Sequence, residues 1–567
     1  MHHRPQIGNA FGIVVIAMAS LAVAAAAPSS TAASRGPTPA MLAVPIAGFR
    51  PIGGGGNNQE HPEFDPIPGS AERTLAPLNF APGTSAGLVS GPNPRTISNV
   101  ISGGTGASGQ DGATADAALS AWMYVFGQFV DHDLSLESAP PSSAAIDIAV
   151  PPGDPSFPAG TTIAMNRDRR NPATNTIVNT VAGYLDLSQL YGSTAAAAAG
   201  LRNADGMLIA SEDGRALAVM NGVFVAGDAR VMENPELVAV TTLFMREHNW
   251  WVSALEKAHP AWTGDQRYEM AKAITTAEYQ NIIYQQFLPA LIGNVLGPYG
   301  GYEPSFGAQV TQEFSTAAFR VGHSQVSDTQ AGIDNRGQVV FSQALADAFF
   351  NTPAMDIANG IDPLLRSLGA ELSQATDVYA VAALRNLLFA GLPSGGVDVI
   401  DLIAIDIQRE RDVGLGTLNQ TREALGLRPW RSFAQLTPDP VLQGAFAAVY
   451  GNVDAVDLFM GGLAEAHARG ANVGPTFQAI IREQFEALRT GDRFFWLNQG
   501  FDKATAGAIA HTTLADLMKR NTDTTATLQP NLFIQAEIGG QVHQHPGAPQ
   551  PRIVETHGRP FAGLNGL

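Results

Sequence analysis

Apolar residues recur at helical spacing along most of the chain. From Ala115 onward, Ala117, Leu119, Trp122, Val125, Phe126, Phe129 and Val130 follow one another mostly at intervals of two to four, which predicts a helix carrying Gln128, Asp131 and His132 towards its end. Further helices are predicted over Glu236–Ala258, Asp265–Ile292, Pro363–Leu372, Asp377–Phe389, Val441–Tyr450, Pro475–Arg489 and Ala504–Arg520. Strict alternation, the mark of half-buried strands, is sparse, and Asn-Pro, Gly-Gly, Pro-Gly and Gly-Pro pairs punctuate the intervening segments. No internal repeat is visible. The pattern predicts a mainly α fold: one large helical domain with few short strands, its bundle enclosing the site.

The ends break this pattern. Residues Met1–Ala27 place His2, His3 and Arg4 ahead of the apolar stretch Phe11–Ala26 and then small residues, the layout of a secretory leader, so a secreted or periplasmic location is expected. Residues 28–94 are rich in Gly, Pro, Ala and Ser, including Gly53–Gly56, and predict an arm that wraps the domain. The expected division is a leader at 1–27, the arm at 28–94, the main domain at 95–535 and a tail at 536–567 in which His543, His545 and His557 are solvated.

Charge and composition narrow the field. With 33 basic against 51 acidic residues, the net charge of −18 repels a phosphate backbone, which argues against nucleic acid as a partner. No apolar run in the body of the chain reaches the roughly 20 residues needed to span a bilayer. A chain of 567 residues that is 45% hydrophobic and 15% charged is long enough to bury a large cofactor. The absence of cysteine removes disulfides, thiolate nucleophiles and cysteine-ligated metals together, so histidine and carboxylate must supply any metal chemistry. Oligomeric state leaves no mark on the pattern.

Four segments carry candidate chemistry, and each alone has a plainer reading. Gly127-Gln128-Phe129-Val130-Asp131-His132-Asp133 sets a histidine between two carboxylates in an apolar helix, which suits half of a dinuclear metal site or a satisfied core histidine equally. Arg230 and Glu233, in Ala226–Leu237, are three apart and suit an ordinary ion pair; Arg246-Glu247-His248-Asn249 follows on the next helix. His323, in Ala318-Phe319-Arg320-Val321-Gly322-His323-Ser324, lies in an apolar setting beside a glycine that permits close backbone approach. Asp406 sits in an apolar run ahead of the charged cluster Gln408–Asp412, which would suit a surface network.

In this order the segments resemble the animal haem peroxidase family of the peroxidase–cyclooxygenase superfamily. Gly127–Leu134, Tyr184–Ser193, Ala226–Asn249, Ala318–His323, Asp406–Leu415 and Asp457–Trp496, the last holding Phe459-Met460-Gly461-Gly462-Leu463 and Gly491-Asp492-Arg493-Phe494-Phe495-Trp496, spread over about two thirds of the chain. The resemblance implies a haem b enzyme that reduces hydrogen peroxide and oxidises a small electron donor through a ferryl intermediate. His132 matches the distal acid–base, Arg230 the cation that stabilises the breaking O–O bond, and Gln128 the distal glutamine. His323 matches the proximal iron ligand, Arg320 the partner of a haem propionate, and Asp406 the second-shell acceptor where mammalian relatives have asparagine. Asp131 and Glu233 match the carboxylates that form ester bonds with haem methyl groups. Asp133, Asp186, Ser188 and the carbonyls of Ala182 and Tyr184 match a calcium site, in which Ala182 lacks the hydroxyl of the family's threonine. His248 matches a structural helix and has no expected catalytic role.

The resemblance also orders the alternatives. A fatty-acid dioxygenase of the superfamily would carry its radical tyrosine three residues before the proximal histidine, where this chain has Arg320. A non-catalytic haem-binding or adhesion protein would have lost His132 or Arg230, and a dinuclear metallohydrolase would use Asp131-His132-Asp133 without haem. The chloride-oxidising branch has methionine directly after the ester-forming glutamate; here that position is Asn234, and Met232 lies on the other side. Bromide, iodide, thiocyanate and phenols are the expected donors.

Overall fold

The computed structural model describes residues 43–80, 88–103, 112–137, 144–349, 357–389 and 398–535. The leader and the C-terminal tail with its three histidines lie outside them. Among the described residues helices dominate, and the strands form five separate two-stranded antiparallel sheets.

Residues Ala115–Ser120 form strand β1 instead of the predicted start of a helix, and helix α1 spans Trp122–Leu134. Tertiary hydrogen bonds overrule the local pattern: Ser120 N donates to Phe533 O at 2.9 Å, Ala121 N donates to Glu371 O at 2.9 Å, and β1 pairs with Leu372–Gln374. Helix α2 is the single turn Ser188–Tyr191, and α3 runs over Pro235–Ala258, capped by Asn234, whose side chain accepts from Leu237 N at 2.9 Å. Helix α4, Gly264–Ile282, opens with a capping box from Thr263 and Gln266 and continues through a π turn at Ile283–Phe287 into Leu288–Ile292, as its long apolar pattern predicts. Helix α5 is the short piece Gly322–Gln325, and α6 is Leu402–Val413.

Other predicted helices are corrected. The helix predicted over Pro363–Leu372 begins earlier, at Ile357, with Pro363 inside it, and ends at Ala370. The stretch Asp377–Phe389 holds only the turn Ala382–Arg385 and the strand Leu387–Phe389, because the Asp377 side chain accepts from Tyr379 N at 2.7 Å and diverts the backbone. The helix predicted over Ala504–Arg520 is two, Lys503–His511 and Leu514–Asn521, divided where Thr513 and Asp516 form a second capping box.

Helices α1, α3 and α4 meet in an aromatic core. Phe129 stacks on Phe244 with ring centroids 5.0 Å apart, and Phe126 contacts Tyr279, Phe287 and Phe533. The arm is seated on this body. Ile46 N donates to Gly500 O at 3.0 Å and Asn57 Nδ2 to Asp492 Oδ1 at 2.7 Å, while Arg50 pairs with Asp492. No described helix is long and apolar enough to cross a membrane.

Candidate functional site

Helix α1 is buried on nearly every face, so its polar residues are held inside the protein. Gln128 and His132 are one turn apart and share a face. Gln128 Nε2 donates to Glu233 Oε2 at 2.8 Å, Asn234 Nδ2 donates to Gln128 Oε1 at 3.0 Å, and His132 Nε2 stands 3.6 Å from Glu233 Oε2. Arg230 lies on a 3₁₀ turn, Ala229–Met232, that Asp228 caps by accepting from Arg230 N at 2.7 Å. The Asp228 carboxylate also receives Arg230 Nε at 3.1 Å and Nη2 at 2.6 Å, and Nη2 reaches His132 O at 3.3 Å. The arginine is thus clamped against the backbone of the histidine.

Burial governs the protonation of this cluster. Desolvation, with the Arg230 cation nearby, holds His132 well below the usual imidazole range and therefore neutral. Burial pushes Glu233 up to about 7, and it raises Asp131 despite the Arg320 and Arg230 cations. For Arg230, burial opposes the charge but Asp228 outweighs it, so the guanidinium stays protonated. One neutral base, one fixed cation and two weakly acidic carboxyls face one another.

The opposite wall comes from α5 and α6. His323 Nδ1 lies 2.6 Å from Asp406 Oδ2, which fixes the ring and leaves Nε2 for a ligand bond; the histidine side chain is 23% exposed and the aspartate 7%. Three residues before His323, Arg320 joins the walls: Nη1 donates to Asp131 Oδ2 at 3.2 Å, Nη2 to Glu137 Oε1 at 3.1 Å and Nε to Ser315 O at 2.7 Å. His323 is near enough to Asp131 to act on its charge. The structure therefore gathers Gln128, Asp131, His132, Arg230, Glu233, Arg320, His323 and Asp406 around one site.

Asp133 faces away from this group into the loop before α2. Its Oδ2 accepts from Asp186 N and Leu187 N, both at 3.0 Å, and its Oδ1 from Ser188 N at 2.6 Å and Ser188 Oγ at 2.8 Å. Ser188 Oγ also lies 3.2 Å from Asp133 O, so three oxygens converge. Asp186 Oδ1 is buried without a hydrogen-bond partner. Burial raises both carboxyls, Asp186 to about 6 against the pull of the Arg50 and Lys272 cations, and the proximity of Asp186 raises Asp133 further, so ionising both together is unfavourable without a further cation. Leu187 adopts a left-handed backbone at φ 59° to make this turn. Tyr184 sends its hydroxyl to Asp65 Oδ1 at 2.9 Å and its carbonyl accepts from Asp186 N at 3.0 Å, while Ala182 contributes backbone only, its N–H donating to Ser193 Oγ at 3.1 Å. Among the described residues no group of three or more histidine and carboxylate side chains could hold a metal ion.

The animal haem peroxidase family model matches residues 49–533. The chain belongs to the animal haem peroxidase family. Peroxinectin A of Dictyostelium discoideum is 29% identical over 519 residues, which cover 86% of this chain and 95% of that protein. Eosinophil peroxidase of Homo sapiens is 31% identical over 485 residues, 74% of this chain and 66% of that protein. Among solved structures, peroxidase A from Dictyostelium discoideum superposes with a TM-score of 0.74 at 28% identity, covering 86% of this chain and 99% of that one. A fatty acid alpha-dioxygenase from Arabidopsis thaliana, at 18% identity and a TM-score of 0.73, shares the fold.

Within this haem peroxidase, two side chains at the site escaped the sequence reading. Asp228 sits in the quoted segment Ala226–Leu237, and its spacing of two from Arg230 was the available signal. Glu137, the second partner of Arg320, follows the distal motif with no such signal. Gly227 is required beside Asp228, because a Cβ there would meet Ser188 O at 2.2 Å and Gly192 N at 2.3 Å. Substituting Asp228→Asn keeps an acceptor for the Arg230 N–H but removes the charge that holds the guanidinium. The expected outcome is a folded protein whose reaction with peroxide, followed by stopped-flow absorbance, slows by about tenfold to a hundredfold, below the full effect of losing a preorganised charge stabiliser. A wild-type rate would show that Arg230 needs no clamp.

Proposed function

We propose that this haem peroxidase reduces hydrogen peroxide and passes the oxidising equivalents to small donors: bromide, iodide, thiocyanate or phenols. The observation that carries the reading is the neutral, buried His132 beside the clamped Arg230. A neutral imidazole can take the first peroxide proton and return it to the departing oxygen, and a fixed cation steadies the charge that builds on that oxygen. Gln128 holds Glu233 by hydrogen bond, and Asn234 holds Gln128 in turn. The side chains present fit a haem: His323, with Nδ1 committed to Asp406, can give Nε2 to iron, and Arg320 can take a propionate. The bound haem supplies the redox chemistry; the protein supplies proton transfer, orientation and exclusion of water. Asn234, directly after Glu233, supports donors other than chloride. Arg320, engaged with Asp131 and Glu137, occupies the position where a dioxygenase would need tyrosine.

Steady-state kinetics of the haem-loaded protein with each donor test the reading directly. Peroxide-dependent turnover of at least one of the four is expected; none with any of them would overturn the proposal.

Asp131 and Glu233 are proposed to hold the haem by ester bonds, and the Asp133–Ser188 loop to hold calcium. The first rests on two carboxyls kept weakly acidic inside the site, the second on the orphaned Asp186 Oδ1 and the converging oxygens of Asp133 and Ser188. After peroxide turnover, acidified butanone should fail to extract haem from the wild type and should extract it from the Asp131→Val, Glu233→Val double variant. Elemental analysis of the same wild-type preparation should find calcium in equimolar ratio to the chain. Complete extraction from the wild type would end the ester proposal, and absence of calcium the other.

A further inference from the structure

The histidine in Arg246-Glu247-His248-Asn249 lies apart from the haem-facing group, yet it is not an ordinary core residue. His248 Nε2 lies 3.0 Å from Gly206 O, and a carbonyl can only accept, so Nε2 carries the ring hydrogen when the imidazole is neutral. Nδ1 is then a bare acceptor, and Tyr191 Oη sits 3.1 Å from it. The tyrosine therefore donates its hydroxyl to the histidine. Both side chains are shut off from water, at 1% and 0% exposure. Burial, with the Lys272 and Arg202 cations nearby, holds the imidazole neutral, down to about 4, so Nδ1 accepts the tyrosine's hydrogen bond and takes its proton only when oxidation of the ring makes that proton strongly acidic.

The pair is joined to the site on one side and to the surface on the other. Tyr191 closes the single turn α2 that Ser188 opens, Ser188 Oγ donates to Asp133 Oδ1 at 2.8 Å, and Asp133 follows His132 in the chain. Outward, the Tyr268 ring meets His248 at 5.2 Å and Tyr191 at 6.1 Å between centroids. Arg202 covers Tyr268 with its guanidinium carbon 4.3 Å from the ring centre and pairs with the exposed Asp265 at 2.9 Å. A phenol whose proton has a ready acceptor is far easier to oxidise than one that must become a phenol radical cation.

We propose that Tyr191 and His248 form a redox-active pair that carries one-electron oxidation from the peroxide-oxidised site to donors too large to enter it. The inference rests on the peroxidase reading, because peroxide must supply the oxidant. In the forward step Tyr191 gives one electron to the oxidised site. Its O–H bond breaks, and the proton forms an N–H bond on His248 Nδ1, leaving a neutral tyrosyl radical beside an imidazolium. In the return step one electron from an external donor at the surface reduces the radical and the proton goes back to Tyr191.

Freeze-quenched samples of the haem-loaded protein, mixed with peroxide and no donor, should give a tyrosyl signal by electron paramagnetic resonance. Tyr191→Phe keeps the ring and its packing; it should remove that signal while the Soret change on peroxide addition proceeds at the wild-type rate. The same variant should oxidise iodide normally and lose at least tenfold in the rate with a protein-sized donor such as ferrocytochrome c, whereas a purely structural role would lower both donors together. A tyrosyl signal that survives in Tyr191→Phe, or its absence from a wild type whose Soret band responds to peroxide, would overturn the pair's role. A Soret band indifferent to peroxide would instead overturn the peroxidase reading beneath it.

Discussion

Alanine in place of His132 is expected to slow the reaction with peroxide by about 10²–10⁴-fold, the usual loss for a positioned acid–base group. The side chain is buried, neutral and held beside Glu233 and Arg230, so alanine there removes the imidazole that takes the peroxide proton. Stopped-flow mixing separates this step from later reduction by donors, which should change much less. The same residue sets the pH dependence. Its pKa in the folded protein is depressed, so on acidification the unfolded chain takes up its proton first, near the ordinary histidine value of about 6.5. The stability linked to neutral His132 is therefore present above that value and is lost as pH falls from it towards the folded pKa. The acid limb of the peroxide rate should correspondingly lie well below 6.5 in wild type. A wild-type rate in His132→Ala would refute the proposed proton transfer even with haem bound.

His323→Ala should have a comparably large effect by another route. The imidazole is the nitrogen ligand that the proximal wall offers, and Asp406, 2.6 Å from Nδ1, would be left beside the gap with its charge unmatched. The variant is expected to bind haem at least about tenfold more weakly, in line with losses on disturbing metal-site ligation, and to lose the absorption spectrum of a histidine-ligated ferric haem. Haem titration followed at the Soret band measures both. An unchanged spectrum would remove His323 from the ligand position.

Much of the site was legible in the sequence because it is local. Gln128, Asp131 and His132 lie within five residues of one helix, and Arg230 and Glu233 within one turn and its cap, so their relative placement follows from the local sequence. The pairings between segments were not legible. Nothing in the spacing of Arg320 discloses that it spans Asp131 and Glu137, and Tyr191 and His248 meet only because α2 packs against α3. The fold shows the same division. Long apolar periodicity predicted α3 and α4 well, whereas β1 and the broken stretch Asp377–Phe389 were misread, because hydrogen bonds to Phe533 and Glu371 in one case and a side-chain turn at Asp377 in the other outweigh local preference.

The seat of the arm has a bearing on how the chain reaches this structure. Arg50 binds Asp492, 442 positions away, and Ile46 meets the backbone at Gly500. During synthesis the arm emerges well before these partners, so it must wait undocked while the helices between them collapse. Closing so long a loop makes it a late, slow event in folding. Because the arm also carries Asp65, which receives the Tyr184 hydroxyl, its docking completes the loop that bears Asp186 and Ser188.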